Sequence, residues 1–318
     1  MAHKTDWFRD KKWGMFIHLL NGVQNSPGRA ANMGAGSTDW SEYIEKLDAD
    51  FIADQVAEVN AGYLFLTIMQ GSKHMLAPNE TYDRITGYKP GEACAKRDFV
   101  DDMYQALSKR GIDLLLYYTG SGPVYDPVAG PAFGYSNIET QKVTVEFVQK
   151  WADMAREYSV KYGKKVRAWW ADGCYPVFGY DEPKLKIIAD AMRAGNPDTL
   201  VALNYINAVG EAVSEHSIND DFTAGEMNEF KDVPENRFIG GAQWHTLSFL
   251  GIPPDGIAYN GWCQPGSRYT GEYMRDYVTK VNERGGVVTI DVCMFRDGHI
   301  DKEQMDVLRA LKSTTDRL

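Results

Sequence analysis

Short apolar runs alternate with longer amphipathic stretches along this chain. In the stretches between the runs, apolar residues recur at helical spacing; residues 98–109, for example, end just before Gly111, a common helix stop. Strand-length apolar runs that alternate with helices are typical of parallel βα units. The clear runs lie at 13–19, 63–69, 113–119, 166–172, 199–204 and 287–293, and two weaker runs lie at 221–226 and 238–247.

Eight runs of this kind predict an α/β fold and, more narrowly, a TIM-like (β/α)8 barrel. The runs lack polar alternation, which is typical of strands buried on both faces. A doubly wound sheet is the alternative, although no GxGxxG motif follows the first run. The weakness of the sixth and seventh runs predicts an irregular barrel at those strands. A length of 318 residues suits a single domain over 1–318.

A barrel places its functional side chains at the carboxyl ends of the strands. Random strand ends are also rich in polar residues, so polar residues at these positions do not by themselves indicate a functional site. Asp172, for example, precedes Gly173, and an Asp-Gly pair is also common in turns. The residues at the predicted strand ends are His18, Gln70, Tyr118, Asp172, Asn204, Glu226, His245 and Asp291.

Charge and composition argue against several classes of partner. The formal net charge is −10, with 34 Lys and Arg against 44 Asp and Glu, and no basic cluster of the kind that binds phosphates occurs. We therefore expect neither a nucleic-acid partner nor a membrane partner. No apolar run approaches the ~20 residues of a membrane span. The first residues lack the apolar core of a signal peptide, so we expect a cytoplasmic location unless a leader has been removed.

The motifs predict neither a metal nor a cofactor. The 6 histidines are scattered, without HxH or HExxH spacing, and the 4 cysteines form no CxxC pair. There is no GxSxG nucleophile elbow. The glycine-rich segment 28–40 matches neither the phosphate-binding P-loop nor the dinucleotide motif.

A pair of carboxylates remains as the candidate chemistry. Asp172 ends the fourth run and Glu226 ends the sixth, so both would face the mouth of a barrel. Hydrolysis of a glycosidic bond uses two such groups, which lie about 5–5.5 Å apart in retaining enzymes. Asp172 would be ionised, whereas Glu226 would need a pKa raised by burial or by the neighbouring negative charge. Glu229 competes for the second role.

Six segments, in order along the chain, resemble the α-L-fucosidases of glycoside hydrolase family 29. The resemblance extends over most of the 318 residues. The sequence WWADG at 169–173 is similar to the motif that carries the nucleophile of this family, and DDFTAGE at 220–226 is similar to the segment that ends in its acid/base glutamate. The remaining similar segments are 7–18, 39–67, 96–119 and 284–312.

The resemblance implies roles for individual residues. It implies that Asp172 is the nucleophile, that Glu226 is the acid/base and that His18 binds the sugar. It also implies retention of configuration through a covalent glycosyl-enzyme, without a metal. The aromatic residues that match positions of the sugar site are Trp40, Tyr118 and Trp170.

The chain departs from the family pattern at several positions that bind the sugar in that family. Gln70 and Gly71 stand where the family has two histidines. His245, beside Trp244, stands in place of a glutamate, and Asp291 stands in place of an asparagine. A site built to bond particular hydroxyls rejects sugars that lack them. These departures therefore predict an altered sugar-binding subsite, and a sugar other than fucose is the alternative substrate.

The sequence thus predicts a retaining, exo-acting glycoside hydrolase that resembles α-L-fucosidases and acts on a small saccharide or glycoside. A non-catalytic carbohydrate-binding relative is one alternative. A barrel isomerase or lyase, with Asp291 as an additional carboxylate, is another. The sequence is compatible with a homo-oligomer. The residues predicted to line the sugar pocket are His18, Trp40, Gln70, Tyr118, Trp170, Trp244, His245 and Asp291.

Overall fold

Seven parallel strands form one curled sheet in the computed structural model, which describes residues 3–205 and 212–315. These strands are β1 (Trp13–Ile17), β2 (Tyr63–Thr67), β3 (Asp113–Thr119), β4 (Val166–Asp172), β5 (Leu200–Leu203), β8 (His245–Phe249) and β9 (Val287–Val292). Two short strands, β6 (Phe238–Ile239) and β7 (Ala242–Gln243), form a separate antiparallel pair. Across the sheet the order is β5-β4-β3-β2-β1-β9-β8.

Helices connect the strands, and most begin at a side chain that caps the first turn. Asp98 accepts the amide N–H of Asp101, and Thr144 accepts that of Phe147, as expected of N-cap residues. Among the described residues, no helix is both long and apolar enough to cross a bilayer. The α-helices are α1 (Asp6–Lys11), α2 (Trp40–Glu45), α3 (Ala49–Glu58), α4 (Glu80–Thr86), α5 (Phe99–Ser108), α6 (Ala129–Phe133), α7 (Val145–Tyr162), α8 (Glu182–Met192), α9 (Gly271–Glu283), α10 (Lys302–Arg309) and α11 (Lys312–Thr315).

The predicted α/β class with parallel strands is confirmed, whereas the closed eight-stranded barrel is wrong. The sixth predicted run is an irregular segment between the edge strands β5 and β8. The N–H of Asp221 bonds to the carbonyl oxygen of Val201 on β5, and the carbonyl oxygen of Gly225 accepts the N–H of Leu247 on β8, so the segment links both edges. At the β5 side, the carboxylates of Asp220 and Asp221 accept the N–H groups of Leu203 and Val201, at 2.8 and 2.9 Å. Side chains thus replace part of a strand ladder.

A glycine explains why this segment cannot continue as a strand. Gly225 adopts a φ of +61°, and a Cβ there would lie 2.0 Å from the carbonyl oxygen of His245. The left-handed backbone interrupts the extended conformation, and the close approach excludes any side chain. The seventh predicted run is also divided, because β8 begins only at His245.

The sheet separates two apolar layers. Its strands are buried on both faces, as predicted for parallel strands. Residues of alternate parity point to opposite faces: on β3, Tyr117 packs inside the curl against Phe16 and Trp170, whereas Tyr118 packs outside it against Trp151 of α7. A shift of one residue therefore decides whether a strand-end side chain reaches the interior.

Candidate active site

A cavity of about 170 Å³ opens at the carboxyl ends of the strands, inside the curl of the sheet. Its wall combines an apolar surface with a few polar groups, which is the usual composition of a small-molecule site. The lining residues are Phe16, His18, Leu20, Val23, Gln70, Tyr117, Trp170, Asp172, Glu226, Leu247, Trp262 and Cys263.

Asp172, the last residue of β4, is held by three hydrogen-bond donors. Its Oδ2 accepts from the Tyr117 hydroxyl at 2.8 Å, and its Oδ1 accepts from the Tyr175 hydroxyl at 2.8 Å and from Nδ2 of Asn204 at 3.1 Å. Burial and the negative charge of Asp172 raise the pKa of both tyrosines, so both hydroxyls keep their protons. These contacts fix the orientation of the carboxylate at the cavity wall.

Glu226 follows Gly225 and faces the same cavity. Desolvation, with a further contribution from the negative charge of Asp172, raises the pKa of Glu226 to about 8. A hydrogen bond donated by Nδ2 of Asn204 acts in the opposite direction but does not outweigh these effects. At neutral pH Glu226 is therefore mostly protonated, beside the carboxyl group of Asp172.

Asn204, one residue beyond β5, connects the two carboxyl groups. Its Nδ2 donates to both Asp172 and Glu226, and its buried Oδ1 has no hydrogen-bond partner among the described residues. Glu229, the competing candidate, lies outside the cavity lining, where its carboxylate is 3.6 Å from Nζ of Lys231. Glu226 is thus the glutamate that accompanies Asp172.

Another part of the cavity wall carries a second arrangement around His18. Its Nδ1 lies 2.6 Å from Oδ1 of Asp291, within hydrogen-bond distance, and the backbone N–H of Cys263 donates to Oδ2 of the same carboxyl group at 3.0 Å. The rings of Phe16 and Trp262 pack against the imidazole, with centroid distances of 4.3 and 5.9 Å. Asp291 is only 1% exposed and lies behind His18 rather than in the cavity lining.

The same cluster offers three potential metal ligands. One ligand atom each from His18, Cys263 and Asp291 lies within 4.8 Å of the others. However, Nδ1 of His18 is in hydrogen-bond contact with Asp291, so a cation bound at Nδ1 would have to replace that contact. Burial and the charge of Asp291 also raise the pKa of the Cys263 thiol, which disfavours the thiolate that binds metals. These donors fit a hydrogen-bonded cluster better than a metal centre.

The structure brings five of the predicted site residues together at the cavity: His18, Gln70, Trp170, Asp172 and Glu226. Tyr118 is not among them, because it lies on the outer face of the sheet, where its hydroxyl donates to the carbonyl oxygen of Trp151 at 2.6 Å. Its neighbour Tyr117 faces the cavity instead.

Three further predicted residues also lie away from the cavity. Trp40 is buried and donates its Nε1–H to the carbonyl oxygen of Met75 at 2.8 Å. Trp244 and His245 lie at the amino end of the β8 region, opposite to the cavity. His245 uses both ring nitrogens, bonding Thr223 and Thr289, and burial lowers its pKa to about 4. It is a neutral core histidine.

Several residues that line the cavity or contact Asp172 were not predicted from the sequence. Tyr117 could have been found from strand parity, since it faces the same side as Trp170, its partner in the β3–β4 register. Tyr175 follows Asp172 after a turn at Gly173, and no motif marked it. Trp262 and Cys263 come from the irregular loop after β8, which carries no pattern in the sequence.

The fold is similar to solved structures of proteins described as fucoidan hydrolases and fucosidases. The endo-fucoidan hydrolase MfFcnA4 from glycoside hydrolase family 107 has a TM-score of 0.70 at 14% identity; the match covers 98% of this chain but only 53% of that chain, so this chain spans about half its length. The α-L-fucosidase AlfC from Lactobacillus casei has a TM-score of 0.64 at 18% identity, over 99% of this chain and 98% of that chain.

A third similar structure is an α-L-fucosidase GH29 from Bacteroides thetaiotaomicron, with a TM-score of 0.63 at 15% identity, over 100% of this chain and 74% of that chain. At such identities the similarities establish the fold alone. No family model matches the sequence, and no curated protein sequence matches it either.

Proposed function

We propose that this protein is a retaining, exo-acting glycoside hydrolase for a fucose-type sugar, with Asp172 as nucleophile and Glu226 as acid/base. The observation that carries the proposal is the hydrogen bonding of both carboxyl groups by one nitrogen, Nδ2 of Asn204. Fold similarity to proteins described as α-L-fucosidases and endo-fucoidan hydrolases supports the class of substrate.

The shared nitrogen supports a retaining rather than an inverting mechanism. Inverting glycosidases need a water between their carboxyl groups and separate them by about 6.5–9.5 Å, whereas retaining enzymes hold them about 5–5.5 Å apart. Both carboxyl oxygens lie within 3.1 Å of that nitrogen, so their separation fits the range of retaining enzymes better than that of inverting ones. Asp172 would therefore attack the sugar directly.

The proton positions suit the two steps of that reaction. In the first step, an Asp172 oxygen bonds to the anomeric carbon while the glycosidic bond breaks, and Glu226 gives its proton to the leaving oxygen. In the second step, the Glu226 carboxylate takes a proton from water, the resulting hydroxyl bonds to the anomeric carbon, and the bond to Asp172 breaks. The pKa of about 8 keeps Glu226 protonated for the first step at neutral pH.

The size and lining of the cavity support an exo-acting enzyme with a small saccharide or glycoside as substrate. A volume of about 170 Å³ suits one sugar ring better than a stretch of polysaccharide. Phe16, Trp170, Leu247 and Trp262 provide apolar surface for the ring and for a methyl group such as the one that fucose carries. Gln70 supplies an amide where the resemblance implies histidine.

The test is a panel of 4-nitrophenyl glycosides that includes the α-L-fucoside, with the first-formed product anomer identified by NMR. We expect hydrolysis of the α-L-fucoside with retention, its loss in Asp172→Ala, and wild-type activity in the matched control Glu229→Gln. Hydrolysis with inversion, or an active and folded Asp172→Ala variant, would refute the mechanism. Turnover of another glycoside alone would refute a fucose-type sugar as the substrate. Binding without turnover on the whole panel would favour a carbohydrate-binding protein.

A further inference from the structure

The cluster of His18, Asp291 and Cys263 contains an aspartate for which the proposed reaction has no use. We propose that Asp291 is a positioning residue that fixes His18 in its Nδ1–H tautomer, so that Nε2 accepts a hydrogen bond from a sugar hydroxyl. The part of this inference that concerns the sugar rests on the proposed function. The part that concerns the tautomer does not.

The hydrogen bond between the two side chains determines where the proton lies. An ionised carboxylate only accepts hydrogen bonds, so the 2.6 Å contact requires a hydrogen on Nδ1 of His18. A neutral imidazole carries one hydrogen, and its other nitrogen is then an acceptor. Nε2 of His18 has no hydrogen-bond partner among the described residues, and the ring lines the cavity.

The fold holds Asp291 in place for this contact. Asp291 on β9 stands opposite Phe16 on β1, and His18 lies two residues further along on the same face of the sheet. The backbone N–H of Cys263 occupies the second carboxylate oxygen, so the carboxyl group cannot rotate freely. Cys263 adopts a φ of +60°, a conformation that is uncommon for a residue other than glycine and that recurs at functional sites.

An asparagine at position 291 would reverse the polarity of His18. Its carbonyl oxygen would accept the N–H of Cys263, and its amide N–H would donate to Nδ1. The imidazole hydrogen would then move to Nε2, which would become a donor. The aspartate therefore makes the cavity select for a substrate group that donates a hydrogen at this point, such as a hydroxyl, over one that only accepts.

The tautomer can be measured directly by ¹⁵N NMR of histidine side chains at pH 8, where an ordinary imidazole is neutral. We expect the Nδ1–H tautomer for His18 in the unaltered protein and the Nε2–H tautomer in Asp291→Asn, with the signal assigned by its loss in His18→Gln. The matched control is Asp301→Asn, because Asp301 is also buried but, among the residues that the structure describes, its carboxylate accepts only the backbone N–H of Gln304 at the start of α10. An Nε2–H tautomer or an imidazolium in the unaltered protein would overturn the proposal.

The sugar contact is tested with nitrophenyl fucosides in which single hydroxyl groups are replaced by fluorine, which can accept but not donate. For each position we compare kcat/KM of the hydroxyl substrate with kcat/KM of the fluoro substrate. At the contacted position, this ratio should be about tenfold larger in the unaltered protein than in Asp291→Asn, because one hydrogen bond is lost in the variant. Comparing ratios between the two proteins cancels the intrinsic effect of fluorine on reactivity. Equal ratios at every position would overturn the sugar contact.

The two readouts separate this proposal from the proposed function. If no glycoside is hydrolysed, the proposed function fails, while the NMR experiment still decides the tautomer. If hydrolysis occurs and Asp291→Asn leaves the tautomer unchanged, the positioning role of Asp291 is wrong and the glycosidase assignment stands.

Discussion

Two walls of one cavity each contain an aspartate at the end of a parallel strand, and the two aspartates have different surroundings. Asp172 lines the cavity, receives three side-chain hydrogen bonds and lies beside a second carboxyl group. Asp291 is withdrawn behind His18 and is bonded to the imidazole and to a backbone N–H. The first can touch a substrate, whereas the second can act only through its neighbour.

This difference shows that strand-end position alone does not define a role. The wall of Asp172 and Glu226 places one carboxyl group beside another whose pKa is raised, which is the arrangement that the proposed reaction uses. The wall of His18 and Asp291 places one polar nitrogen at the cavity surface. We therefore expect changes on the first wall to remove turnover and changes on the second wall to alter substrate preference.

The largest effect is expected for Asp172→Ala. Removal of the attacking group should lower kcat about 10⁴-fold or more, as is typical when a nucleophile is deleted. Steady-state kinetics on the nitrophenyl fucoside measure it, and the melting temperature serves as the control for folding. A loss of similar size in Asp291→Asn, with the fold intact, would erase the proposed difference between the walls.

The second effect concerns Glu226→Gln and its dependence on the leaving group. We expect kcat/KM to fall about 10²–10⁴-fold for a disaccharide, whose leaving oxygen needs a proton, and much less for the nitrophenyl fucoside. Because Glu226 must be protonated to act as the acid, kcat/KM of the unaltered protein for the disaccharide should fall as the pH rises through about 8. Glu226→Gln should lack this alkaline decrease; a decrease that persists would assign it to another group.

The third effect concerns Asn204→Ala and the link between the two carboxyl groups. The hydrogen bond from Asn204 lowers the pKa of Glu226, so its removal should raise that pKa further. The alkaline limb of the pH profile should therefore move to higher pH. A limb that stays in place, or moves to lower pH, would mean that Asn204 does not hold the Glu226 carboxylate.

The smallest effects separate two adjacent tyrosines. Tyr117→Phe removes one donor to Asp172 and should lower kcat/KM about tenfold, whereas Tyr118→Phe removes the bond to Trp151 and should leave kcat/KM unchanged. The Tyr118→Phe variant should instead lose about 1 kcal/mol of unfolding free energy, measured with denaturant. The opposite pattern, with activity lost in Tyr118→Phe alone, would contradict the assignment of the two faces of β3.

The sequence allowed the α/β class and most strands to be predicted, because strands buried on both faces leave long apolar runs. The prediction of a sixth strand was wrong because the carboxyl groups of Asp220 and Asp221 accept N–H groups of β5 in place of part of a strand ladder, and Gly225 breaks the extended backbone. Hydrogen bonds that side chains make in place of a neighbouring strand leave no periodic pattern in the sequence.

The candidate site was predicted where a side chain alone carries the chemistry, as for Asp172 and Glu226. It was missed where position depends on strand boundaries: Tyr118 is one residue out of register with the cavity, and His245 begins a strand that it was expected to end. Contacts between distant segments, such as those of Asn204 and Cys263, arise only on folding.

The central claim is that Asp172 forms a covalent bond to the sugar. Incubation with a 2-deoxy-2-fluoro-L-fucosyl fluoride should trap this intermediate, because the fluorine at C2 slows both its formation and its hydrolysis, whereas the fluoride leaving group speeds only its formation. Mass spectrometry of the intact protein and of its peptides should then find one sugar per chain, attached to Asp172 and absent in Asp172→Ala. Attachment to another residue, or turnover of the fucoside with inversion and no attached sugar, would contradict the account.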